Sequence, residues 1–190
     1  MVKTGIILLS ITLSVNMQAA GRYNEIRKYD RYFEEYSRKY FGPEFDWRYF
    51  KAQAIVESGL DPDAKSLDGA LGIMQVLPAT FDEIREKNPI DLGNEKTPQW
   101  NIAAGIFYDR ILWETWDSER STQERIKFMF GSYNAGKKDV LKAQDIAIEK
   151  GLNPYKWESI EKTLPEIIGE SATETIDYVK EINLIYKVLK

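Results

Sequence analysis

Chemistry in this sequence has to be built from few residue types. Its 190 residues include no histidine and no cysteine, which removes Ser-His-Asp and Cys-His nucleophilic machinery, HExxH and thiolate zinc sites, and thiol redox chemistry together. Carboxylates, Tyr, Lys, Ser or a metal held by oxygen ligands remain. Among the acids, Glu57 stands apart. In WRYFKAQAIVES (47–58) nearly every direction around a helix carries an apolar residue, so that helix is expected to be largely buried. Glu57 follows Ala54 and Phe50 by three and seven residues, on the same side, just before Gly59 at the stop position. A carboxylate there meets the negative end of the helix macrodipole, and its apolar neighbours further disfavour the charged form. At the ordinary glutamate pKa of about 4.3, roughly one carboxyl in 500 is protonated at pH 7; a rise of ~2, or about 2.7 kcal/mol, leaves a substantial fraction able to protonate a leaving oxygen. Spacing alone equally allows a partly exposed carboxylate at a helix end. Downstream, GALGIMQ (69–75) combines permissive glycines with an amide, the makings of a turn that presents polar backbone to a ligand.

The elements that would position these groups are helices. Tyr29, Phe33, Tyr36 and Tyr40 recur at helical spacing within 23–40, a stripe expected to pack against the domain. Gly42-Pro43 breaks the chain, and Asp46 is placed to cap the helix from Trp47 to about Ser58. Thr80 to Glu83 has capping-box form and opens a short helix that ends before Asn88-Pro89. Thr97-Pro98 opens another, reaching about Trp116. Ser121 to Glu124 is a second capping box, with its helix running to about Asn134 and Gly136 as the stop. Segments 137–150, 154–163 and 173–189 complete the set. No segment alternates with period two, and only Ser66 to Val76 is suited to a small hairpin. The expected fold class is mainly α: an N-terminal helix and connection over 21–45, packed on one domain over 46–190, without repeats.

Composition sets the surroundings. A hydrophobic fraction of 43% supports one core, and a formal net charge of -4 gives no positive field for nucleic acid. The mixed run EIRKYDRYFEEYSRKY (25–40) reads as a solvated helix face. Residues 1–20 differ: Lys3 is the only charge, Gly5 to Val15 is apolar or small, and Gln18-Ala19-Ala20 precedes polar sequence. That is the layout of a secretory signal peptide, shorter than the roughly 20 apolar residues of a membrane span. The alternatives are an uncleaved N-terminal anchor and a buried N-terminal helix. With no cysteine at the junction, a lipoprotein anchor is excluded. The mature chain is expected in the periplasm or cell envelope, soluble or held by that N-terminus.

Four stretches carry a resemblance: AIVESGLDPDAKSLDGALGIMQVLPAT (54–80), WNIAAGIFY (100–108), SYNAG (132–136) and ETIDYV (174–179). In that order and at those intervals they resemble the catalytic domain of the SLT-type lytic transglycosylases, bacterial enzymes that cleave peptidoglycan glycan strands. KYDRYFEEYSRKYF (28–41) and the stretch 139–167 resemble in particular the branch typified by membrane-bound lytic murein transglycosylase F. The likeness covers roughly 28–187. It implies a lysozyme-like, goose-type fold with a cleft for alternating GlcNAc and MurNAc, a single catalytic Glu, and no cofactor. By motif position, Glu57 would protonate the oxygen bridging MurNAc and GlcNAc, then act as base on the C6 hydroxyl of the same MurNAc, closing a 1,6-anhydro ring without consuming water. The substrate's N-acetyl oxygen would stabilise the oxocarbenium-like centre. An intramolecular hydroxyl thus replaces the second carboxylate of the usual glycosidase pair.

The resemblance further implies that Ser58 helps hold the helix end, that Ser66 lies near the catalytic carboxylate, and that Gln75 is a cleft amide binding sugar. Leu77 matches a substrate-facing position, whereas Met74 reads as core. Tyr133 and Asn134 match a phenol and amide lining the cleft beside the acid. Glu174 matches a second acidic position supporting the site; without that match it reads as a carboxylate at a helix N-terminus. Two departures stand out. Larger relatives carry an N-terminal solute-binding-like domain, whose regulation is expected to be absent here, and 167–173 is shorter than the usual loop before the ET motif. The rivals are a muramidase in which Asp61, Asp63 or Asp68 activates water, and a non-catalytic peptidoglycan-binding scaffold. Acids near Glu57 lack the spacing of a calcium loop. Glycan strands are the expected partner; a housekeeping role and one beside a secretion, conjugation or phage apparatus both fit.

Overall fold

The computed structural model describes residue 23 and residues 26–88, 91–116 and 119–189; the signal segment expected at 1–20 lies outside them. The described residues are almost entirely helices and turns: α1 (Asp30–Phe41), α2 (Arg48–Ser58), α3 (Pro78–Lys87), α4 (Pro98–Thr115), α5 (Thr122–Ala135), α6 (Lys137–Glu149), α7 (Trp157–Thr163), α8 (Pro165–Ile168) and α9 (Ser171–Val188). None of these helices is long and apolar enough to cross a membrane. The described residues divide into two compact units, those between 23 and 108 with 181–189 in the first and those between 109 and 180 in the second.

In the first unit, α1 lays Phe33, Tyr36 and Tyr40 into a core shared with Phe50 and Ala54 of α2 and with Ile73, Phe81, Ile102 and Ile106. The expected helix from Tyr23 to Tyr40 is interrupted: residue 23 is helical, residues 26–29 are not, and α1 begins at Asp30. The buried Lys51 ammonium takes the Ile26 carbonyl at 2.9 Å and the Asp30 carboxylate at 2.7 Å, so residues 26–29 turn to serve Lys51 and α1 begins beyond them. Helix α2 matches expectation. Asp46 Oδ1 accepts from the Arg48 backbone N–H at 3.0 Å, and Gly59 ends the helix in the left-handed region (φ 65°, ψ 26°), donating to Ile55 O at 2.9 Å. Helix α3 begins at Pro78 rather than Thr80, because the proline takes the first-turn position, where its missing N–H costs nothing, and Leu77 before it is extended. Between α2 and α3 the hairpin expected at 66–76 is reduced to two single antiparallel bridges, Lys65 with Leu71 and Leu71 with Val76.

The second unit is built around Trp116, Phe128 and Trp157, with ring centroids 5.0 and 5.5 Å apart along that order. Trp157 lies so close over α5 that a Cβ on Gly131 would come within 1.9 Å of it. Ser121 caps α5 as expected, accepting from Glu124 N–H at 3.3 Å. The return half of the capping box is spent elsewhere: Glu124 accepts from the Trp157 backbone N–H at 2.7 Å and from Lys127 at 2.9 Å. That carboxylate fastens α7 to α5.

Candidate active site

Glu57 is 6% exposed in the last turn of α2. The burial expected from the apolar faces of 47–58 is present, since Tyr49 to Ile55 are all buried. The two residues after Ser58 fix the helix end in an unusual way. Gly59 and Leu60 both take φ 65°; in Leu60, a buried branched residue, that conformation costs about 1–2 kcal/mol and persists because the residue, 4% exposed, is held in the core. Ser58 donates its hydroxyl to Ile73 O at 2.9 Å, with its own-helix contact to Ala54 O longer at 3.4 Å. The serine next to Glu57 therefore ties the helix end to the 71–76 turn.

That turn is tightly closed. Leu71 and Val76 exchange backbone hydrogen bonds at 3.0 and 3.1 Å, and Gly72 N–H donates to Ala64 O at 2.9 Å. Gln75, also at positive φ (46°), turns its amide inward: Nε2 donates to Gly72 O at 2.9 Å and to Ala64 O at 3.3 Å, and the residue is 4% exposed. Ser66 closes the preceding bend, its hydroxyl accepting from Ala70 N–H at 3.0 Å. Leu77 is partly exposed at the start of α3. Met74 is fully buried against Gly105, where a Cβ would meet it at 2.7 Å.

One residue that the sequence left without a role completes the arrangement. Asn101, 1% exposed on α4, accepts from Met74 N–H at 2.8 Å through Oδ1 and donates from Nδ2 to Leu71 O at 2.9 Å and Glu95 O at 3.3 Å. It lies within WNIAAGIFY, and the one local signal was an amide among apolar residues on an otherwise buried helix. Glu57, Ser58, Ser66, Gln75 and Leu77 thus share the first unit. Tyr133, Asn134 and Glu174 belong to the second. There Tyr133 is 3% and Asn134 8% exposed at the end of α5. Asn134 Oδ1 accepts from Thr175 Oγ1 at 2.7 Å, which links SYNAG to the ET motif. Glu174, the neighbour of that threonine, lies in the first turn of α9, where a carboxylate complements the macrodipole.

A family profile described as "Transglycosylase SLT domain" matches residues 31–155, from α1 to just before α7. The chain belongs to that family. Among curated proteins, membrane-bound lytic murein transglycosylase F of Desulfosudis oleivorans is 30% identical over 157 residues, covering 77% of this chain and 33% of the relative. The namesake from Shewanella halifaxensis is 31% identical over 177 residues, covering 87% and 35%. This chain therefore spans about a third of the length of these relatives. The crystal structure of the 70-kDa soluble lytic transglycosylase of Escherichia coli matches 84% of this chain and 24% of its own, with a TM-score of 0.65 at 24% identity. That likeness shows the fold: mainly α and lysozyme-like, as the sequence led one to expect.

Proposed function

We propose that this SLT-domain protein is a peptidoglycan lytic transglycosylase that cleaves the MurNAc-GlcNAc β-1,4 bond and leaves a 1,6-anhydro-MurNAc end, with Glu57 as acid and then base. The observation that carries the reading is the burial of Glu57 at a glycine-terminated helix end, 6% exposed, which shelters the carboxyl from bulk water where a proton is to be given and taken back. In the first step the Glu57 carboxyl gives its proton to the bridging oxygen, which leaves as the O4 hydroxyl of GlcNAc. The C6 hydroxyl of MurNAc then bonds to C1 and returns a proton to the Glu57 carboxylate, so the enzyme is regenerated and no water enters. By their motif positions Tyr133 and Asn134 are proposed as cleft-lining residues and Glu174 as a supporting acid, and the glycan strands of the cell envelope are the proposed partner.

The hydrolytic rival gains little from its acids. Asp61, Asp63 and Asp68 are all exposed, and Asp61 Oδ1 accepts from Asp63 N–H at 2.9 Å as a surface turn does. Digestion of purified peptidoglycan followed by mass spectrometry tests the proposal. Wild-type protein is expected to release fragments lacking one water at the reducing end, and Glu57→Gln to lower kcat by about 10²–10⁴-fold. Products with intact reducing ends would establish hydrolysis instead, and a Glu57→Gln protein as active as wild type would sink the role of Glu57.

A further inference from the structure

We propose that Asn101 is a positioning residue for Glu57, acting through the 71–76 turn and Ser58; this rests on the reading of Glu57 as the acid of the proposed reaction. The chain of contacts is continuous and lies wholly within the first unit. Asn101 uses both ends of its amide on the turn, accepting from Met74 N–H at 2.8 Å and donating to Leu71 O at 2.9 Å. Between those two anchors lies Ile73, whose carbonyl receives the Ser58 hydroxyl at 2.9 Å. Ser58 adjoins Glu57 at the end of α2.

The packing makes this a two-sided grip. Gly72 adopts φ 70° and lies so flat on the Asn101 amide that a Cβ there would fall 2.8 Å from its Cγ, 2.9 Å from Nδ2 and 3.0 Å from Oδ1. The turn can approach α4 because residue 72 has no side chain, and the amide is long enough to span the two backbone groups. Its third contact, to Glu95 O at 3.3 Å, anchors the amide to the segment before α4. The end of α2 passes into the left-handed residues Gly59 and Leu60, whose N–H groups close on Ile55 O at 2.9 Å and Ala54 O at 3.4 Å, so these backbone bonds return to the helix itself. Ser58 to Ile73 is a side-chain tie from this helix end to the rest of its unit, and Asn101 determines where the Ile73 carbonyl stands.

A group acting through geometry affects turnover more than binding, since a misplacement of about 1 Å costs on the order of 100-fold. Asn101→Ala is therefore expected to lower kcat for release of anhydro products roughly 10- to 100-fold while KM stays within about threefold, measured well below its melting temperature. Ser58→Ala should act on the same link. The double variant is expected to be no slower than the slower single, whereas independent effects would multiply. Should Asn101→Ala fail to fold, Asn101→Asp, which keeps the acceptor for Met74 N–H and loses the donor to Leu71, is read by the same criteria. A kcat within about twofold of wild type, or losses that multiply in the double variant, would overturn the assignment. If wild-type protein itself releases no anhydro products, the proposed function falls and this inference with it; an active wild type with an indifferent Asn101 removes the inference alone.

Discussion

Gln75 shows how much of a site residue's hydrogen-bonding capacity can go into holding its own loop. The resemblance assigns its amide to sugar, yet Nε2 is directed at Gly72 O and Ala64 O, and the residue accepts φ 46° to put it there. A buried side chain with two backbone partners is a structural brace before it is a ligand contact. Gln75→Ala is expected to lower the unfolding free energy by about 1–2 kcal/mol in urea denaturation, because Gly72 O and Ala64 O each lose one of two donors and keep only the backbone one. An unchanged midpoint with a raised KM would return the amide to the sugar. Local spacing made the buried helix and its glycine stop around Glu57 legible in the sequence, whereas the role given to Glu57 came from the family resemblance. Asn101 was not legible, because its partners are backbone groups some thirty positions away, and main-chain atoms leave no residue-type signature.

At the scale of elements, α2 is secured along its length. At its start, Asp46 binds Arg48 through two oxygens and accepts from Tyr186 Oη at 3.0 Å, while the Tyr186 ring stacks on Tyr49 with centroids 3.7 Å apart. In its middle, Lys51, with its side chain 4% exposed, pairs with Asp30. At its end, Ser58 holds the 71–76 turn. The Lys51–Asp30 pair is the costly one, since an ammonium in that position has little water to fall back on. Asp30→Ala is expected to destabilise the protein by about 2–4 kcal/mol, whereas Asp30→Leu with Lys51→Met should recover most of that loss by replacing the pair with apolar packing. Chemical denaturation of wild type and the two variants checks this, and a double variant as unstable as Asp30→Ala would contradict it. This same pair explains why the start of α1 was misplaced from sequence: helical spacing continues through 23–29, but a tertiary contact from Lys51 takes the carbonyl of Ile26. The start of α3 was misplaced for a local reason, since Pro78 outweighs a capping box.

For the molecule as a whole, the absence of histidine removes the usual source of pH sensitivity near neutrality. Helix content and the mainly α fold could be read from periodicity and stops, but the division into two units could not, because it falls inside α4 and α9, where no break in composition marks it. Each unit nevertheless carries a carboxyl with a lowered pKa. Burial pushes Asp46 up, but hydrogen bonds from the Arg48 side chain and backbone and from Tyr186 outweigh it and hold the group below its ordinary 3.8. Burial likewise pushes Glu124 up, and the Trp157 N–H and Lys127 outweigh it and bring the group below the ordinary glutamate range. A carboxyl whose folded pKa is depressed stabilises the fold above its unfolded value, and that contribution is lost as the pH falls through the folded value. Stability is therefore expected to be level from pH 7 to about 5 and to decline progressively below about 4.5 as these groups protonate. Urea midpoints across that range test it. Asp46→Asn and Glu124→Gln should each be less stable at pH 7 and show a shallower acid decline, since neither variant has that proton left to gain. A wild-type midpoint that falls between pH 7 and 5 would show that some other, strongly perturbed group governs the stability of the fold.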